Sequence, residues 1–386
     1  MRLHEQIETQ LRQSIADGRL GAGEQLPTEN ELSRRFKVSR STIRHALKGL
    51  EKGGLILRIR GRGTFVTGDH AADTSPGVLL KSITNLSSAP VSAPPIGVVL
   101  RFSAESDALQ TGILLGVEHA AKSRGHNILF ARTDESDEAS EYNAIQQLFR
   151  IGVCGMVVMP ISNYTTTAGV KMLLERNVPL VLVDRYLIDL DTSYVTSDNF
   201  TGAYRATEHL IILGYRQFAF VHHAGGARVL TTTSVRDRYA GFCRALQDYG
   251  LSEQIQPAFS FDEADARALE QILTLRAAAD PLPPAVVAVS DHVALSILRA
   301  ASAAGLKPPD DFALVGYDDL PMVSHMPVPL TTVAQPRYEQ GFQAGHLLLD
   351  KVQGHPVRND KLLLTTTLVV RESCGAHRIV KARLHA

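Results

Sequence analysis

From residue 96 onward the chain repeats one pattern: a short, almost wholly apolar run, then a stretch with helical spacing that closes on Gly. The runs are "IGVVL", "HNILFA", "GMVVMP", "VPLVLVD", "FAFVHH", "AVVAVSD" and "FALVGYDD", and segments such as "GILLGVEHAAKSRG", "NAIQQLFRIG" and "TGAYRATEHLIILG" lie between them. A strand with one wet face alternates apolar and polar residues, so a run that is apolar at every position must be covered on both faces. Helices crossing back over a parallel sheet provide that cover, and the pattern predicts βαβ units and an α/β fold. Residues 96–376 are too many for one sheet, so two parallel sheets with a cleft between them are expected. In such folds ligands sit beyond the carboxyl ends of the strands.

Charged and polar residues stand at those ends: Asp184 with Arg185, Ser290 with Asp291, and Asp318 with Asp319. Carboxylates beside an arginine suit a polyhydroxylated ligand, because a carboxylate accepts from two hydroxyls and a guanidinium donates to ring or hydroxyl oxygens. The alternative for Asp291 is a helix cap, and for Asp319 a closed turn.

The N-terminus is built differently. The chain has 386 residues and no formal net charge, but residues 1–68 hold 13 Lys and Arg against 7 Asp and Glu. Positive charge gathered in a small segment suits a nucleic-acid module on an acidic body. "MRLHEQIETQLRQSIADG" is amphipathic, with Leu3, Ile7, Leu11 and Ile15 in one seam, and lacks the apolar centre of a signal peptide. Without a long apolar run either, a cytoplasmic location and no membrane partner are expected. A loop leads to a second helix at Thr28, where Glu31 completes a capping box. In "KVSRSTIRHALKGL", Arg40, Arg44 and Lys48 line one side, Ile43, Leu47 and Leu50 another, and no acid interrupts them. Ser39 suits the N-cap. "LILRIRGRGTFV" then reads as a hairpin with Arg60, Gly61 and Arg62 at its tip, able to approach phosphates or a narrow minor groove.

This order of "LPTENEL" helix, "VSRSTIRHAL" helix and "RGRGTFV" hairpin resembles the GntR family of winged helix-turn-helix DNA-binding domains over residues 3–67. The resemblance implies DNA contacts from Ser39, Arg40, Ser41 and Arg44, with Arg60, Gly61 and Arg62 in the wing. Asn30 stands where some members have a phosphate-contacting arginine.

The series "DNFTGAYRATEHLIILGYRQFAFV", "SVRDRYAGFCRALQDYG", "AVVAVSDHVALSILRAASAAGLKPPDDFALVGYDDLP" and "PLTTVAQPRYEQGFQAG" resembles the LacI/GalR regulators and their periplasmic-binding-protein-like fold, over residues 96–376. It implies effector contacts from Arg238 in "RYAGF" and Asp318 in "GYDD". Ser290 departs from the asparagine of many members. Phe102 and Phe261 are candidates to pack on a sugar ring, since the chain has no Trp. A GntR-type head on a LacI-type sensor resembles the arabinose-repressor type of regulator. The expected organisation is a winged helix-turn-helix at 1–68, a linker at 69–95, an effector-binding and dimerisation domain at 96–376 and a tail at 377–386. No LacI-type hinge helix is evident at 69–95.

The implied function is a homodimeric transcriptional regulator on palindromic operator DNA, responsive to a sugar or polyol. The rival reading is a carbohydrate- or nucleotide-processing enzyme with a DNA-binding head. No nucleophile elbow, P-loop or dinucleotide fingerprint is present. Adjacent His222 and His223 on a strand point to opposite faces and do not readily share a metal. Cys154, Cys243 and Cys374 lie too far apart for a paired metal spacing. Neither catalysis nor a metal or cofactor is expected.

Overall fold

The computed structural model describes residues 3–17, 25–36, 38–52, 55–59, 63–66, 93–102, 107–133, 137–161, 166–223, 232–255, 258–261 and 282–378. The chain divides into two units, Met1–Ala89 and Pro90–Ala386.

The first unit runs α1 (Leu3–Ala16), β1 (Gln25–Leu26), α2 (Glu29–Phe36), α3 (Arg40–Lys52), β2 (Ile56–Ile59) and β3 (Gly63–Val66). The capping box before α2 is formed: the Thr28 N–H donates to Glu31 Oε2 at 2.8 Å and the Glu31 N–H to Thr28 Oγ1 at 3.3 Å. Ser39 caps α3, its Oγ accepting from the Thr42 N–H at 3.2 Å. The apolar stripe of α3, Ile43, Leu47 and Leu50, closes on Ile7, Leu11, Leu32 and Ile56 to make one core. β2 and β3 pair antiparallel, with Ile59 opposite Gly63, and β1 joins the outer edge of β3. The hairpin tip with Arg60, Gly61 and Arg62 lies outside the described residues, as does 67–92, most of the segment read as a linker.

The second unit holds two six-stranded sheets. Its elements are β4 (Ile96–Arg101), α4 (Asp107–Ser123), β5 (Ile128–Thr133), α5 (Glu138–Ile151), β6 (Met156–Val158), α6 (Ala168–Glu175), β7 (Leu180–Val183), β8 (Tyr194–Ser197), α7 (Asn199–Leu213), β9 (Phe218–His223), α8 (Thr233–Asp248), β10 (Phe259–Phe261), β11 (Ala285–Ala288), α9 (Asp291–Ala303), β12 (Ala313–Asp318), β13 (Thr331–Ala334), α10 (Arg337–Val352), β14 (Lys361–Leu364) and β15 (Thr367–Val369). Every apolar run named above contains a strand. β6, β7, β11 and β12 are buried at every position, as strands covered on both faces must be.

The first sheet has the order β14-β8-β7-β6-β4-β5 and is parallel throughout. The second has the order β10-β9-β11-β12-β13-β15, parallel except for β15, which runs antiparallel to β13. The chain passes from one sheet to the other after Ser197, after Ala334 and after Leu364. The β14 excursion returns sequence-distant residues to the first sheet. Helix α10 sends Ala344, Leu347, Leu348 and Leu349 into the core of that sheet. It can do so because α4 and α10 cross at glycines: a Cβ at Gly341 would collide with the Ile113 carbonyl oxygen. In the second lobe, Ala206, Leu210, Ile211 and Leu213 of α7 pack with Phe218, Phe220, Val286, Leu314 and Tyr317.

Candidate ligand cleft and nucleic-acid-facing helix

β7 of the first lobe and β12 of the second end on aspartates in unusual backbone conformations. Asp184 has φ 69°, Asp318 φ 120° and Asp319 φ 54°, where residues with a Cβ rarely sit. Such strain persists only where surrounding structure enforces it, and it gathers at functional sites. The side chains of these aspartates are met by arginines.

Arg337, the first residue of α10, donates through Nη1 to Asp184 Oδ1 and through Nη2 to Asp318 Oδ1 at 3.3 Å. One guanidinium thereby joins the strand ends of both lobes. Arg185 approaches Asp184 Oδ2 at 3.5 Å. Arg238 Nη2 lies 3.8 Å from Asp318 Oδ1, and Gln335 Nε2 donates to that same oxygen. Three donors thus crowd Oδ1 of Asp318, while among the described residues none meets its Oδ2. Arg238 is itself locked: Nε donates to Asn199 Oδ1 at 2.8 Å, Nη1 donates to the Val289 carbonyl at 2.6 Å, and its guanidinium carbon sits 3.7 Å from the Tyr317 ring centroid.

The electrostatics follow from that crowding. Burial alone would raise the Asp184 carboxyl, but Arg337, Arg185 and Arg238 outweigh it and hold the group at about 2. Burial, and Arg101 facing it, lower Arg185 to about 10, although Asp184 works the other way. For Arg337, burial opposes the charge, yet Asp184 and Asp318 raise it above the usual arginine value.

The other expected cleft residues fall into two groups. Ser290 is 8% exposed and caps α9, its Oγ 3.3 Å from the Val293 N–H and 3.3 Å from His223 Nε2. Phe102 is half-buried at the end of β4 and meets Phe130 edge-on at 5.2 Å. Phe261 is packed into the core of the second lobe. Asp291 has no exposed surface: Oδ1 accepts from Thr332 Oγ1 at 2.6 Å and Oδ2 from the Leu320 N–H at 2.8 Å. It does not cap α9, because Ser290 does. Burial and the neighbouring Asp318 raise its carboxyl to about 7, against the pull of the Thr332 and Leu320 hydrogen bonds. Asp319 is closed by Arg371 at 2.7 Å.

In the first unit, Ser39, Arg40, Ser41, Arg44 and Lys48 are exposed along the side of α3 that its apolar stripe leaves bare. No acid stands in its first turn. A cation there opposes the helix dipole, so an anion arriving at this end is doubly favoured.

A family model described as "Bacterial regulatory proteins, gntR family" matches residues 3–66, and one described as "Periplasmic binding protein-like domain" matches residues 207–374. The ribose operon repressor of Halalkalibacterium halodurans is 31% identical over 258 residues, covering 67% of this chain and 73% of that protein. The chain belongs to the LacI-type transcriptional repressors, with a gntR-family head. The arabinose metabolism transcriptional repressor of Geobacillus stearothermophilus is 27% identical over 375 residues, covering 95% of this chain and 96% of that protein, a span that takes in head and sensor. Among solved structures, the transcriptional regulator CelR-cellobiose complex matches with a TM-score of 0.62 at 25% identity, covering 90% of this chain and 100% of that one.

Sequence reasoning missed the repressor's Arg337, Asn199, Gln335 and Tyr317. Arg337 carried a readable signal: a cation in the first turn of a helix is unfavourable unless carboxylates face it. Asn199 and Gln335 had none, because each is defined by a partner in another element. Among the described residues, no helix is long and apolar enough to cross a membrane.

Proposed function

We propose that this repressor is a cytoplasmic homodimer that binds a palindromic operator and leaves it when a small sugar or polyol occupies the cleft. Ser39, Arg40, Ser41 and Arg44 face the DNA, and Arg60, Gly61 and Arg62 form the wing. Asp184, Arg185, Arg238 and Asp318 bind the effector, with Ser290 and Phe102 at its margin. Phe261 and Asp291 serve packing. A dimer two-fold matches a palindromic site.

The observation that carries the effector reading is Asp318, buried among Arg238, Arg337 and Gln335 with all three donors on one oxygen. The other oxygen suits a ligand hydroxyl, which such a preformed site holds firmly. Relatives named for arabinose and ribose, and a fold neighbour in complex with cellobiose, support a carbohydrate. An effector that prefers one lobe arrangement shifts the population towards it and so changes operator affinity. The chain acts by binding, without turnover.

The test uses the full chain: melting with a panel of pentoses, hexoses, disaccharides and sugar phosphates, then operator binding with and without each hit. A hit raises the melting temperature and releases operator at matching concentrations. Absence of any stabilising sugar, or chemical conversion of one, defeats the reading.

A further inference from the structure

Asp184 and Asp318 face one another from different lobes, and Arg337 stands between them at the start of the helix that follows the second crossing. Two carboxylates this close repel unless a cation separates them. The cation is part of the chain, and it already takes one oxygen of each aspartate. Its Nε is buried and has no acceptor among the described residues, an unusual state for a buried donor. The ion-pair partners of Arg337 leave it 13% exposed, so its charge is not screened away by water.

We propose that Arg337 is a specificity-determining residue of this cleft: as a built-in counter-ion to Asp184 and Asp318 it excludes cationic ligands and leaves a neutral polyol the Oδ2 of Asp318. The same contacts let the two lobes approach before any effector arrives. The effector therefore enters a site where Arg337, with Arg185 and Arg238, already answers the charge of both aspartates, and recognition falls to hydroxyl groups rather than to an ammonium. This deepens the effector reading and rests on it, but its test needs no sugar that the chain binds.

In full-length Arg337→Ala the two aspartates are left facing a space shaped for a guanidinium. Methylguanidinium chloride at about 20 mM is expected to raise the melting temperature of that variant by about 3 °C over sodium chloride at equal ionic strength, saturably, and to leave the wild type unmoved. D-glucosamine, a cation carrying hydroxyls, is expected to stabilise the variant and not the wild type. If Arg337→Ala fails to fold, Arg337→Gln takes its place: it fills part of the space and drops the charge while Arg185 and Arg238 keep their aspartates, and D-glucosamine is expected to stabilise it and not the wild type. The proposal is overturned if methylguanidinium moves the Arg337→Ala variant and the wild type alike or neither, or if D-glucosamine stabilises the wild type as much as the variant. A sugar panel with no hits would sink the effector reading while leaving the methylguanidinium result intact.

Discussion

The guanidinium carbon of Arg238 stands 3.7 Å from the centroid of the Tyr317 ring, the residue immediately before Asp318. That stacking fixes Arg238 as part of the wall, with Asn199 at the start of α7 and the Val289 carbonyl after β11 holding its other nitrogens. Removing it leaves two buried acceptors, Asn199 Oδ1 and the Val289 carbonyl, without that donor, while Asp318 keeps Arg337 and Gln335. Arg238→Ala is expected to lower stability by about 2–5 kcal/mol, roughly 1–3 kcal/mol for each buried acceptor left unpaired, and to abolish the effector response. Calorimetry of the ligand-free chain decides: an unchanged melting temperature would mean that the stack braces nothing. Arg238→Lys keeps the charge but not the planar fork, and should recover only part of the loss.

Asp318→Asn should separate ligand recognition from folding. Asparagine retains one acceptor for Arg337 and Gln335, and Asp184 still holds Arg337. The ligand loses a charged acceptor, a loss of roughly 1.5–3 kcal/mol, or about 10- to 150-fold in effector affinity. Titration of effector against bound operator measures it. A wild-type titration would remove Asp318 Oδ2 from the site.

On the head, Arg44→Ala is expected to weaken operator binding by about 1–3 kcal/mol. Arg60→Ala with Arg62→Ala should flatten the dependence of log affinity on log salt by about one unit for each phosphate no longer neutralised. Filter binding at several salt concentrations distinguishes the two. Slopes equal to wild type would take the hairpin off the DNA.

Asp291 gives the sensor a pH dependence of definite sign. Its folded value, about 7, lies above the roughly 3.9 of an unfolded aspartate, so the folded state binds the extra proton between them. Its contribution is complete below about pH 4 and is lost as pH rises through 7, at up to roughly 1.4 kcal/mol per pH unit. Urea unfolding of wild type and Asp291→Asn between pH 4.5 and 8, a range chosen to span about that window, should give a difference that shrinks with rising pH. A constant difference would place the proton elsewhere.

Sequence alone carried the architecture because the signals are local. Continuous apolar runs demand cover on both faces, whichever helices supply it, and β7, β11 and β12 are buried throughout as a result. The capping box at Thr28 and Glu31 and the two stripes of α3 are likewise settled within a few residues of chain. The aspartates at strand ends were legible for the same reason.

The cleft's wiring was not. β8, β13 and β14 are short and partly polar, and only their neighbours make them strands. Arg337 meets Asp184 across 153 positions of sequence, and Arg238 meets Asn199 across 39. Ser290 and Asp291 are adjacent in the chain, yet one caps a helix beside His223 and the other is sealed against Thr332 and Leu320. Which of two neighbouring polar residues faces a ligand depends on where distant strands end. That is decided by packing between elements, which no local pattern records.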